Sequence, residues 1–193
     1  MKPVKFLQSE KIYLRPYTAQ DTAIFYASFY EPTSRYYTGA QNVYTLSQIE
    51  SALQNFAADK TRVDLLICSQ ETDEAVGEIS LNSMDSNNRS GGVRLAIFHP
   101  ENYSKGYGSE ALTLILDYGF GIRNLHRIEL HAYSYNERAI HTYEKVGFRR
   151  EGVMRDAWYF DHQWVDVIVM SILEDEFRTK YKQNRLENAE TTR

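Results

Sequence analysis

What the chain has little of limits it first. It carries one cysteine, Cys68, so no internal disulfide can form. Cys68 ends the apolar run Val63-Asp-Leu-Leu-Ile-Cys68, which reads as a buried strand and not as the exposed, electropositive setting of a reactive thiol. Basic residues are outnumbered, 22 Lys and Arg against 26 Asp and Glu, for a formal net charge of −4. That balance argues against a nucleic-acid partner and suits a cationic one slightly better. No apolar run approaches the length of a membrane span, and Met1-Lys-Pro-Val-Lys-Phe-Leu7 is too short and polar for a signal peptide. The expectation is a soluble cytoplasmic protein with no membrane partner. No His-Glu-x-x-His and no paired cysteines are present, and His126 and His131 would face opposite ways on a strand, so no metal site is expected. A serine nucleophile elbow is also missing.

What is there suffices for a core. The 193 residues are 42% hydrophobic and 13% aromatic, with 15 tyrosines suited to a half-buried sheet and a cleft. We expect one domain over residues 1–177 and a polar helix or tail over 178–193.

Lys11 to Arg15 alternates like a strand. Thr18-Ala-Gln-Asp21 and Thr45-Leu-Ser-Gln48 look like capping boxes, opening helices to about Tyr30 and Ala58. Between them lies a polar, tyrosine-rich stretch with Pro32 and Gly39. Arg62–Ser69, Ala75–Met84 and Gly92–Phe98 read as strands in series. A helix to about Ile122 follows, then a strand over His126–Tyr133 and a helix from Asn136 to Val146 stopped by Gly147. Phe148–Tyr159 and Trp164–Leu173 close the pattern as a hairpin. Hairpin-linked strands with one strand–helix–strand unit predict an α+β fold on a mixed sheet.

Gly106 and Gly108 lie between the Val93–Phe98 run and the helix-like run from Ala111. A glycine loop opening a helix aims unpaired N–H groups at an anion, which makes this a candidate phosphate cradle. Gly106-Tyr-Gly108-Ser-Glu-Ala111 fits the dinucleotide fingerprint, with Glu129 near the ribose-binding spacing. However, about seven residues separate Phe98 from Gly106, Glu129 falls mid-strand, and no second βαβ series follows. A triphosphate loop fails because Lys105 precedes the glycine instead of following it.

The chain resembles the GCN5-related N-acetyltransferase (GNAT) superfamily over roughly residues 10–175, especially its ribosomal-protein-alanine and spermidine acetyltransferase-like branch. Tyr103-Ser-Lys-Gly-Tyr-Gly108 is similar to the [QR]-x-x-G-x-[GA] motif. Asn136-Glu-Arg-Ala-Ile-His-Thr-Tyr-Glu-Lys-Val-Gly-Phe148 is similar to N-x-x-A-x-x-x-Y-x-x-x-G-F. The departure is Tyr103, where the superfamily has Gln or Arg.

The resemblance implies a central sheet of about seven mostly antiparallel strands, splayed between the strand before the loop and the next parallel strand, with about four helices. It implies acetyl transfer from acetyl-CoA, as co-substrate, to a primary amine by direct attack. Cofactor contacts fall on Tyr103, Ser104, Lys105, Gly106, Tyr107, Gly108 and Ser109 for the pyrophosphate. They fall on Ala96, Ile97 and Phe98 for the pantetheine arm, where a backbone N–H can polarise the thioester carbonyl. Asn136 is a helix N-cap by type and, in the resemblance, also a pantetheine contact. Tyr143 shares a helical face with Ala139, Ile140 and Val146, so it packs, while the resemblance makes its hydroxyl the acid that protonates the departing thiolate.

Base candidates are Glu78, Glu129, His131 and His99, with Glu78 preferred. Tyr30, Arg35, Tyr36, Tyr37, Trp158, Tyr159 and Trp164 belong to the parts that cover the cleft, as cation-stacking rings or as packing beneath the cover. Polyamine enzymes of the branch carry paired acids soon after the aromatic pair, where this chain reads Tyr36-Tyr-Thr-Gly-Ala-Gln41. The acceptor is thus a protein N-terminus, a small amine or an amino-acid-like metabolite; a polyamine acceptor and a non-catalytic CoA sensor are the alternatives. A monomer or homodimer is expected.

Overall fold

Strand patterns and helix starts turn into structure largely where their spacing places them. In the computed structural model, which describes residues 4–181, β2 (Ile12–Pro16) follows a two-residue strand, β1 (Leu7–Gln8). The meandering runs are β3 (Val63–Ser69), β4 (Ala75–Asp85) and β5 (Ser90–Ile97). The later ones are β6 (Arg127–Tyr133), β7 (Arg149–Phe160) and β8 (Gln163–Leu173). All eight form one sheet in the order β1-β2-β3-β4-β5-β6-β8-β7, one strand more than expected. The extra one is β1.

The sequence reading leaves out one helix. Residues 32–38 are not an irregular polar stretch but α2 (Pro32–Thr38). Pro32 takes the first turn, where its missing N–H costs nothing, and the Glu31 carboxylate accepts from Ser34 N at 2.5 Å. Gly39, at φ 65°, ends it. The capping boxes form as read. Asp21 ends a short 3-10 turn before α1 (Thr22–Tyr30), and Thr45 Oγ1 accepts from Gln48 N to open α3 (Leu46–Ala58). Helices α4 (Tyr107–Gly121) and α5 (Glu137–Val146) follow, and residues 174–181 form α6. Most of the expected tail, from residue 182 on, lies outside the described residues.

The two sheet faces carry separate clusters. One packs α4 and α5 through Leu112, Ile115, Leu116, Ile140 and Val146 against Ile79, Leu81 and Ile128. The other packs Phe25 and Ile49, from α1 and α3, on Tyr13, Leu66, Cys68 and Phe98. Burial of Cys68 pushes its thiol up, away from nucleophile behaviour.

Every neighbouring strand pair is antiparallel except β5 and β6, which α4 joins as a crossover. Their pairing is short: Ser90, Gly91 and Gly92 stand opposite Arg127, Ile128 and Glu129. Beyond Gly92, β5 pairs with β4 and β6 pairs with β8, so the sheet forks in its middle.

Candidate active site

The loop that leaves the fork ends on a helix without a side-chain cap. After a 3-10 turn at Pro100–Asn102, Ser104 (φ 59°) and Gly106 (φ 90°) take left-handed conformations, and Gly106 is the N-cap of α4. No side chain caps that end, so the first-turn amides of Tyr107, Gly108 and Ser109 face the loop. The acid in this first turn, Glu110, is held away: its carboxylate accepts from Ser9 Oγ at 2.6 Å and from Lys11 N at 3.0 Å. Lys11 reaches the loop itself, donating through Nζ to Lys105 O at 3.3 Å.

These amides line a cavity of about 350 Å³ between the end of β5 and α5. Ala96, Ile97, Tyr103, Ser104, Gly106, Tyr107, Gly108, Ser109 and Asn136 all line it. Lys105 does not; it contributes its carbonyl to Lys11.

Phe98 needs correction as a main-chain contact. Its N–H donates to Val76 O at 3.0 Å, and its carbonyl accepts from Ser34 Oγ at 2.7 Å. Antiparallel alternation then turns the main chain of Ala96 toward β4 as well, leaving the peptide groups of Leu95 and Ile97 facing the fork.

Asn136 caps α5, its Oδ1 accepting from Ala139 N at 3.2 Å, and its amide donates to Tyr37 O at 3.4 Å. Together with Ala96 it also lines a second, larger cavity of about 940 Å³, so the two spaces meet at the fork. Tyr143 lines the larger one. Its ring packs on Phe148, and burial pushes its hydroxyl up to about 12 against the pull of Arg94, so the phenol keeps its proton at neutral pH.

Of the base candidates, Glu78, Glu129 and His131 line the larger cavity, and His99 lines neither. Glu129 is held by Arg127 at 3.1 Å. Glu78 accepts from Tyr17 Oη at 3.4 Å, and burial raises its carboxyl above the ordinary value despite Arg94. Beside this cavity Tyr135 Oη, between β6 and α5, donates to Tyr36 O of α2 at 2.6 Å, and the amide of Gln41, which lines the cavity, donates to Tyr159 O of the β7–β8 hairpin. No group of three or more His, Cys, Asp or Glu among the described residues is placed to hold a metal ion.

Four basic residues at the smaller cavity were missed. Arg138, His141 and Lys145 line it from α5, and Lys11 comes from a turn remote in sequence. The first three recur at helical spacing on one face, a signal the sequence carries. Arg138 lies over the Tyr103 ring at 3.7 Å and the Tyr37 ring at 4.6 Å.

Known proteins match this arrangement. The acetyltransferase (GNAT) domain family matches residues 11–149. An uncharacterized N-acetyltransferase of Bacillus subtilis, YoaA, is 29% identical over 171 residues, 87% of this chain and 96% of its own. A spermidine N(1)-acetyltransferase of Vibrio cholerae is 33% identical over 102 residues, 53% of this chain and 58% of its own. The crystal structure of a Vibrio cholerae spermidine N-acetyltransferase with CoA and spermine has the same fold, with a TM-score of 0.80 at 24% identity, covering 86% of this chain and 97% of that one. With the family match spanning most of its length and the forked sheet in place, this chain belongs to the GNAT family of acetyltransferases.

Proposed function

We propose that the protein moves the acetyl group of acetyl-CoA onto a primary amine, with the smaller cavity taking the CoA side and the larger one the acceptor. The observation that carries this is the meeting of the two cavities at the fork, with the glycine-loop amides in one and Tyr143 in the other. The amides of Tyr107, Gly108 and Ser109, with Lys11 and Arg138 nearby, suit a diphosphate. The free edge at Leu95 and Ile97 suits the amide-bearing pantetheine arm as an added strand. An N–H on that edge can hold the thioester oxygen as negative charge builds there.

The acceptor amine must lose a proton before it attacks. Glu78, ionised, takes it directly or through water. The nitrogen attacks the acetyl carbon, the C–N bond forms and the C–S bond breaks. The Tyr143 hydroxyl gives its proton to the departing sulfur, and the second proton shed by the acylated nitrogen returns to the Tyr143 phenolate through water, leaving a neutral amide and free CoA.

A polyamine acceptor is the second reading, favoured by the match to the Vibrio cholerae spermidine enzyme. With its single buried thiol the protein suits the cytoplasm, where we place it. Thiol release from acetyl-CoA with a panel of primary amines tests the proposal. Saturable release with at least one amine is expected, and none with any amine would overturn it.

A further inference from the structure

We infer that the acceptor amine also carries a carboxylate, which Arg94 and the indole N–H of Trp158 receive in the larger cavity. This rests on the reading of that cavity as the acceptor side of an acetyltransferase.

Arg94 precedes Leu95 on β5 and lines the larger cavity with an exposed side chain. Among the described residues no hydrogen bond or ion pair ties it down, unlike Arg15, Arg62 and Arg127. Its charge acts on Glu78, Tyr133 and Tyr143, which line the same cavity.

The other charged side chains at this cavity have partners of their own. Glu129 faces Arg127, and Arg127 also holds both oxygens of Glu151 at 2.6 Å. Glu78 accepts from the Tyr17 hydroxyl at 3.4 Å. Among the described residues, Arg94 is therefore a cationic group lining the cavity that no carboxylate holds in an ion pair. A free guanidinium disfavours an ammonium group beside it and favours an anion.

Trp158 gives an independent indication. It lines the same cavity, its ring set against Tyr133 at 5.4 Å, yet its Nε1 is covered from solvent and has no hydrogen-bond partner. A buried donor left unpaired is unfavourable, and its partner must bring an acceptor atom. An ammonium group carries only donors, whereas a carboxylate carries only acceptors. Guanidinium and indole N–H are thus both matched by one carboxylate, with the reacting amine at the other end of the same molecule.

The test is kcat/KM, by thiol release, for matched acceptors: α-, β- and ω-amino acids, their primary amides, their decarboxylated amines, and spermidine. Wild type, Arg94→Gln, Arg94→Lys and Trp158→Phe are compared, with acetyl-CoA binding followed by calorimetry. Wild type should prefer an amino acid to its decarboxylated amine and to spermidine. That ratio should fall about tenfold or more in Arg94→Gln and several-fold in Trp158→Phe, with part of it kept in Arg94→Lys. A preference for spermidine, equal use of acid and amide, or a ratio unmoved in both Arg94→Gln and Trp158→Phe would overturn the inference and leave the acetyltransferase reading standing. Failure of wild type to bind acetyl-CoA would instead overturn that underlying reading.

Discussion

The guanidinium of Arg138 lies 3.7 Å from the centroid of the Tyr103 ring. Tyr103 occupies the position where the resemblance calls for Gln or Arg, so a cation arrives there from α5 and rests on the tyrosine face. Arg138→Ala should weaken acetyl-CoA binding about tenfold, roughly 1.4 kcal/mol, with Arg138→Lys in between. Tyr103→Leu should weaken it too, by removing the platform. Calorimetric affinities within twofold of wild type in all three variants would show that this stack does not serve the cofactor.

Gly106 is held at φ 90°, where any side chain is strained, and it starts the helix whose amides face the cavity. Gly106→Asp should destabilise the fold by about 1–2 kcal/mol from backbone strain and also bring a negative charge to the cradle. Gly106→Ala should show the strain alone. Urea denaturation and acetyl-CoA titration separate the two effects; equal acetyl-CoA affinity in the Ala and Asp variants would contradict the charge argument.

In the proposed mechanism Glu78 sets the acid limb of the pH profile. Burial, with Asp64 adding to it, raises its carboxyl above the ordinary 4.5, against Arg94 and the Tyr17 hydroxyl. A base works ionised, so kcat/KM should fall as pH drops through a value above the usual carboxylate range. Glu78→Gln should lose that limb and about 10²-fold in turnover. The folded state binds this proton more tightly than the unfolded chain, so ionised Glu78 costs stability at high pH. The Gln variant should therefore melt no lower than wild type at pH 8, and a lower melting temperature would count against this account of Glu78.

Arg15 grips both oxygens of Asp21 at 2.7 and 2.8 Å, and Thr18 N and Oγ1 donate to the same carboxylate. Burial alone would raise this carboxyl, but Arg15 and Thr18 together hold it below 3.8. Its contribution is present above the unfolded value and is lost as pH falls through the lower native one. Asp21→Asn should cost about 2–3 kcal/mol at pH 7 by leaving Arg15 half-buried and unpaired at the start of α1. A matched series of melts should show that difference shrinking below pH 4; a constant gap would contradict it.

Local chemistry was the readable part. Gly106, Gly147 and Asn136 do at their own positions what their residue types permit, so the loop, the helix stop and the cap follow from sequence. The Pro32 to Gly39 stretch misled because proline inside the first turn signals a helix start as readily as a break. The remaining details are tertiary. Lys11 meets the Lys105 carbonyl only because Glu110 pins the β1–β2 turn to α4. Phe98 is withdrawn from the fork by Val76 and Ser34, partners that no spacing rule pairs with it. Arg94 and Trp158 come to one cavity through a sheet order in which β8 intervenes between β6 and β7.

The sharpest test is Tyr143→Phe. Tyr143, whose hydroxyl burial pushes up to about 12, lines the larger cavity and is absent from the lining of the smaller one. Steady-state turnover should fall about 10²- to 10³-fold while acetyl-CoA affinity stays within about twofold of wild type. Turnover equal to wild type, with the variant folded, would contradict the account at its centre.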